Sequence, residues 1–312
     1  VKGIVTKSTG SWYAVYKNDG TIIDCRLKGK FRLKGIKSTN PVAVGDVVNF
    51  ELEKDKNTGI INSILERRNY IIRKSVNLSK QTHIIAANID IAFLVITINN
   101  PPTFTGFIDR FLATAEAYNI KAVLLFNKID SYAEKELKKI EELITIYSAI
   151  GYTCIKVSAT KKINIAVVEK MMQDKTTMFS GHSGAGKSTL INAIEPSLKL
   201  KVGEISKQHK QGIHTTTFAE MFPLTIGGFI IDTPGIKGFG VVDFDLQEIS
   251  HFFPEIFKTS AACKYNNCLH VNEPKCAVKK AVENGKIALS RYKNYLQIME
   301  GDSENYRVDI YN

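Results

Sequence analysis

The run GHSGAGKS, residues 181 to 188, limits what this chain can fold into more than any other stretch. It lies between the apolar segment TTMFS and the helical pattern STLINAIEP, so its glycines mark a tight turn from a strand into a helix. Glycines let backbone N–H groups converge on one point, and a helix that starts immediately beyond directs its positive end there. Such a nest accepts phosphate oxygens. Gly181, His182, Ser183, Gly184, Ala185 and Gly186 would wrap them, and the Lys187 ammonium would bridge the β- and γ-groups. Ser188 would offer its hydroxyl to Mg2+, with Thr189 beside it. The fold implied is a largely parallel sheet covered by helices.

A second motif stands on the unexpected side of this loop. Asn127, Lys128 and Asp130 follow the apolar strand AVLLF in the order N-K-x-D. The Asp130 carboxylate can accept from both N1–H and the exocyclic amine of guanine. Adenine would leave it unpaired, which is the basis of strong discrimination between bases. Ser158 and Ala159 end the next strand, where the Ala159 N–H can meet the guanine oxygen. Downstream of the phosphate loop come Thr215, Thr216 and Thr217 in a polar loop, then DTPG at Asp232 to Gly235 on the end of the strand GGFII. Asp232, with Thr216, would hold Mg2+, and the Gly235 N–H would sense the γ-phosphate. Base reading therefore precedes phosphate binding along the chain, the reverse of the usual threading. Several motifs of one chemistry in one α/β segment make this a circular permutation, which sheets tolerate because domain termini often lie close together. The permutation leads the D-x-x-G segment directly into the C-terminal region, a route for passing nucleotide-dependent movement onward.

The flanks differ from this centre. Residues 1 to 75 hold 15 of the 42 Lys and Arg but only 7 of the 31 Asp and Glu, so most of the net charge of +11 is N-terminal. There, GIVTKS, WYAVYK, TIIDCRL and VVNFEL alternate apolar and polar residues, as short antiparallel strands do. A five-stranded barrel of the OB type fits, with an RNA-binding face at Arg26, Lys28, Lys30, Arg32 and Lys34 and with Trp12 and Tyr13 in a nearby loop. Ordinary solvated charge is the competing account of the same residues. The expected division is 1–75 barrel, 76–245 permuted nucleotide-binding domain, 246–312 C-terminal domain. The longest apolar runs fall far short of the ~20 residues of a membrane span, so a cytoplasmic protein is expected, and it is taken as a monomer.

Cys263, Cys268, His270 and Cys276 are spaced C-x4-C-x-H-x5-C in a segment too small to bury much core. Three thiolates and one imidazole make a closed tetrahedral structural Zn2+ site; buried free cysteines are the alternative. Cys25 and Cys154 lie on expected strands and read as packing residues.

Together these features resemble the RsgA (YjeQ) family of circularly permuted GTPases that assist late maturation of the small ribosomal subunit. The resemblance is carried by GSWYAV, CRLKGKFRLKG, NPVAVGD, NKID, GHSGAGKSTLIN, HTTT, DTPGIKGF, the cysteine spacing and SRYKNYL. It implies hydrolysis of GTP to GDP and phosphate, stimulated by the 30S subunit, with the barrel and the zinc domain both contacting ribosomal RNA. Ile236 stands where many GTPases carry a water-orienting glutamine and can form no hydrogen bond. By resemblance His214 is the candidate for that task, the alternative being ribosomal RNA or backbone. Two other classes compete. An ATP-using kinase or transporter ATPase conflicts with Asp130, and an RNA-binding module that holds nucleotide without turnover conflicts with the switch threonines and Asp232.

Overall fold

The computed structural model describes residues 1–28, 41–54, 56–74, 82–200, 219–232 and 245–301. Alternation in the N-terminal segment produces β1 (Lys2–Ser8), β2 (Tyr13–Lys17), β3 (Ile22–Leu27), β4 (Val47–Leu52) and β5 (Thr58–Ile64). The strands pair in the order β1-β2-β3-β5-β4, and β4 returns to β1, which closes the barrel. Val5, Val15, Cys25, Val48, Phe50 and Ile61 fill it. Tyr13 corrects the expectation above. It is only 1% exposed and belongs to this core rather than to a loop, whereas its neighbour Trp12 is 44% exposed. Successive residues of a strand face opposite sides, so one of the two aromatic rings had to turn inward.

A hairpin of β6 (Tyr70–Lys74) and β7 (Thr82–Ala87), not apparent in the sequence, leads into the α/β domain. Its elements are β8 (Ile91–Ile96), α1 (Thr105–Ala117), β9 (Lys121–Phe126), α2 (Glu134–Ile150), β10 (Thr153–Lys156), α3 (Ile165–Met172), β11 (Thr176–Ser180), α4 (Lys187–Ile194), β12 (Glu220–Pro223) and β13 (Phe229–Asp232). The strand order is β10-β9-β8-β11-β13-β12, parallel except for β12. Every residue of β8 is buried, as expected of a central strand covered on both faces. Leu94, Ile96 and Leu124 pack toward Ile108 and Phe111 of α1, while Phe93, Val95 and Val123 pack toward Val168 of α3 and Leu190 of α4.

The sheet does not stop at the domain edge. β12 pairs antiparallel with β1, so the barrel and the α/β domain share one hydrogen-bonded sheet. Asn88 Nδ2 pins the junction again by donating to the Gly45 carbonyl at 2.9 Å, next to Asp46, which is fully buried and accepts at 2.6 Å on both oxygens from Arg67 of the segment after β5.

The C-terminal helices α5 (Pro254–Ser260), α6 (Ala277–Glu283) and α7 (Leu289–Met299) form a small core around Phe253, Val278 and Tyr295. They dock on α1. Asp109 of α1, wholly buried, accepts from Arg291 Nη1 at 2.9 Å, from Asn294 Nδ2 at 2.5 Å and from the Tyr147 hydroxyl at 2.8 Å. Arg291 also donates to both oxygens of Glu255 and lies 4.5 Å over the Phe253 ring. A buried ion pair is tolerable when every remaining donor and acceptor is engaged in this way. The described contacts of the module are chiefly to α1, with Arg291 also 5.9 Å over the ring of Tyr147 in α2; residues 233–244, which join Asp232 to the module, lie outside the described residues. Among the described residues, no helix is long and apolar enough to cross a membrane.

Candidate functional site

Parallel strands that end side by side set the site. β8, β9 and β11 deliver residues 97–104, 127–130 and 181–186 to one edge of the sheet. The loop after β11 turns through left-handed backbone at Gly184 and Gly186, with φ of 86° and 96°. A Cβ on Gly186 would stand 2.5 Å from Asn127 Nδ2, so this glycine is needed for space as well as conformation. Asn127 Nδ2 donates to the Ala185 carbonyl at 2.9 Å, and Lys128 Nζ donates to the carbonyls of Gly184 and Asn100 at 2.8 and 2.7 Å. The two sequence motifs are therefore bonded directly to each other.

Lys187 opens α4, and its ammonium turns back to donate to the carbonyls of Gly181 at 2.6 Å and His182 at 2.8 Å. Burial pushes its pKa down to about 8, against the pull of the nearby Asp232 carboxylate. Ser188 is buried in the first turn of the same helix, and Asp232 ends β13. A hydroxyl and a carboxylate are hard oxygen donors of the kind Mg2+ takes, and a few ligands with water suffice for that ion. Asp130 is exposed. The Ser158 and Thr160 hydroxyls hold its carboxyl below the usual range, with Thr160 Oγ1 donating at 3.0 Å, so it is ionised and faces outward to accept N–H donors. Ser158 and Ala159 are buried beside it. His182 packs its ring on Phe107 of α1, centroids 4.2 Å apart. His214, Thr215, Thr216 and Gly235 lie outside the described residues, as do Lys30, Arg32 and Lys34 of the barrel face. Arg26 is exposed but already donates to Glu53 at 2.6 Å, and Lys28 is exposed.

Two supports of the site were not read from the sequence. Glu195, only 2% exposed beyond the end of α4, accepts from the Thr225 N–H at 2.7 Å and hydroxyl at 2.8 Å, which ties the phosphate-loop helix to the turn between β12 and β13. Phe107 is the other. A lone acid near an apolar helix end and an aromatic ring within an apolar helix carry no local signal of either role.

The second centre gathers Cys263, Cys268, His270 and Cys276, whose ligand atoms all lie within 4.8 Å of one another. His270 Nδ1 is 3.5 Å from Cys276 Sγ and 3.7 Å from Cys263 Sγ, and those two sulfurs are 3.9 Å apart. A tetrahedral Zn2+ with the usual bond lengths separates ligands by roughly 3.6–3.8 Å, so the residues fit the ion. Burial keeps the imidazole neutral and pushes the Cys268 thiol up to about 12. Without a cation the Cys268 thiol would stay protonated, and a dication would reverse that. Glu273 accepts from the N–H groups of Leu269 and Val271, and the hydroxyls of Tyr292 and Tyr295 donate to the carbonyls of His270 and Leu269, so α7 braces the ligand loop.

A phosphate loop bonded to a guanine-reading loop that precedes it in the chain defines a circularly permuted GTPase. The chain belongs to the RsgA GTPase family: the family model of that description matches residues 64–242, and the RsgA N-terminal domain model matches residues 2–61. The small ribosomal subunit biogenesis GTPase RsgA of Christiangramia forsetii is 63% identical over 313 residues, covering 100% of this chain and 99% of that one. The protein of the same name from Flavobacterium psychrophilum is 61% identical, covering 99% and 96%. The crystal structure of YjeQ from Thermotoga maritima superimposes with a TM-score of 0.80 at 36% identity over 96% of this chain and 97% of that one. That of YloQ, a circularly permuted GTPase, does so with 0.75 at 32% identity over 99% and 96%.

Proposed function

We propose that this chain engages the small ribosomal subunit in late maturation and hydrolyses GTP to GDP and phosphate there, the subunit stimulating the reaction. The observation that carries the reading is the bonded pair of loops, Asn127 to Ala185 and Lys128 to Gly184, in a member of the RsgA GTPase family. Asp130 accepts from the guanine N–H groups, Ser158 and Ala159 border the base, and the backbone of Gly181 to Gly186 encloses the phosphates. Lys187 then exchanges the Gly181 and His182 carbonyls for β- and γ-phosphate oxygens, and Thr189 follows Ser188 into the phosphate end of the helix. Bound Mg2+ would supply charge neutralisation between those oxygens, held by Ser188 and Asp232 with Thr216. Gly235 would sense the γ-phosphate, and His214, with Thr215, would position the attacking water. Zn2+ on Cys263, Cys268, His270 and Cys276 is structural.

The barrel face, Trp12, Arg26 and Lys28 with Lys30, Arg32 and Lys34, is assigned to ribosomal RNA; its charge and the exposed Trp12 support this. The working division remains 1–75, 76–245 and 246–312 in a cytoplasmic monomer. Steady-state phosphate release from GTP and from ATP, with and without purified small subunits, tests the reading. GTP-selective release that rises strongly with subunits is expected. GTP binding without stimulation would remove the ribosomal assignment and leave the nucleotide site standing.

A further inference from the structure

Where the barrel joins the nucleotide-binding sheet, one residue lies on both seams. Glu220 opens β12, three residues after Thr217 in the chain, and pairs directly with Lys7 of β1 on one side and with Asp232 of β13 on the other. Directly opposed residues of antiparallel strands present their side chains on the same face, with Cβ atoms about 5 Å apart. A cation and two carboxylates therefore stand in one row across three strands. Lys7 Nζ lies 3.1 Å from Glu220 Oε1. At the far end, the charge of Asp232 reaches the Lys187 ammonium of the phosphate loop. The row thus runs from a barrel side chain to the phosphate-binding lysine. Tyr16 of the barrel, edge-on to Phe229 with centroids 5.3 Å apart, adds an apolar stitch between the same units.

Like charges directly opposed across strands repel unless something neutralises them. Here Lys7, which offsets the Glu220 charge, belongs to the barrel, and its side chain is 50% exposed, within reach of an external anion. We propose that Glu220 is a positioning residue for Asp232 whose influence is set by Lys7, so that a nucleic-acid phosphate backbone drawing Lys7 away strengthens the negative field at the Mg2+-binding end of β13. The inference rests on the assignment of Asp232 made above. It gives the barrel a direct electrostatic route to the reaction centre, in addition to the shared sheet.

The test is the Mg2+ dependence of dissociation of a fluorescent GDP analogue from the full-length, zinc-loaded chain. Lys7→Met keeps the alkyl stem and removes the charge, and should lower the Mg2+ concentration at half effect by about threefold. Glu220→Gln should raise it by about threefold, and Lys7→Met should shift it far less in the Glu220→Gln background, because Lys7 then holds no carboxylate away from Asp232. A purely structural role would lower the melting temperature without this sign pattern. No change in Lys7→Met, or simple addition in the double variant, would overturn the proposal. Small subunits should shift the Mg2+ midpoint of the unmodified chain downward and leave Glu220→Gln unmoved; an equal shift in both would also overturn it. The expected pattern without any subunit effect in the unmodified chain would support the row of charges and count against the ribosomal reading.

Discussion

The phosphate loop and the Cys3His cluster each gather polar groups around one point, but the first satisfies most of them from its own chain, with Asn127 Oδ1 the buried exception among the described residues. Lys187 bonds two loop carbonyls, Lys128 bonds a third, and Asn127 bonds a fourth, so the loop holds its form through internal contacts. In the cluster the thiols and imidazole meet chiefly one another, and His270 Nε2 is buried with no hydrogen-bond partner among the described residues. The first arrangement suits a ligand that comes and goes, because release replaces contacts that are already available. The second suits an ion that stays, because nothing in the chain substitutes for it. Zn2+ binding in small modules is folding free energy, on the order of 10 kcal/mol or more. Chelation or Cys276→Ser should therefore abolish the ordered C-terminal module and its separate protection in hydrogen exchange, while GDP affinity changes far less. Retention of full protection in α7 after verified metal loss would break the contrast.

Docking of the module is a distinct event from its folding, and the Asp109–Arg291 pair separates them. Arg291→Met leaves Asp109 buried without its cation, a change that costs about 3–5 kcal/mol. The expected outcome is a large loss of global stability in denaturant titration with the Zn2+ content unchanged. Loss of Zn2+ together with stability would show that folding and docking are one step. Lys187→Met tests the opposite case. Relief from burying an ammonium offsets the two lost carbonyl bonds, so the nucleotide-free stability should move by less than about 1 kcal/mol, whereas GTP affinity should fall by roughly 100-fold or more. Equilibrium binding and thermal melts of the same preparation separate the two effects.

The same contrast explains what the sequence disclosed. The phosphate loop, N-K-x-D and the cysteine spacing are contiguous, and each needs its residue types at fixed spacing for chemical reasons, so they are legible without the fold. Asp109 and Arg291 are 182 positions apart and each reads alone as surface charge. A signal was nonetheless present: α1, TGFIDRFLATAEA, is apolar nearly all round, and a helix buried on every side demands a partner for a lone acid within it. Tyr13 was misplaced because WYAVYK offers aromatic rings in both registers of the strand. The pairing of β1 with β12 had no signal at all, since edge-to-edge contact between domains is set by backbone geometry rather than by side-chain pattern.

The smallest effect concerns pH. The Lys187 pKa is pushed down to about 8 by burial in the nucleotide-free loop, and an adjacent phosphate would return it toward its ordinary 10.5. Between those values the free chain has lost the proton and the complex holds it, so binding takes up a proton and GDP affinity falls as pH rises, by at most about tenfold per unit. Below pH 8 both states carry the proton and this group contributes no slope. The sign for folding is opposite in consequence: through the same window the unfolded chain holds more protons, so the nucleotide-free fold gains stability as pH rises. Calorimetry at pH 7.5 and 8.8 in buffers of different ionisation enthalpy measures the uptake directly. Ionisation of the guanine itself is common to every variant and cancels against Lys187→Arg, whose guanidinium stays charged across the range. An equal slope in both proteins would show that the loop carbonyls already hold the ammonium charged in the nucleotide-free chain.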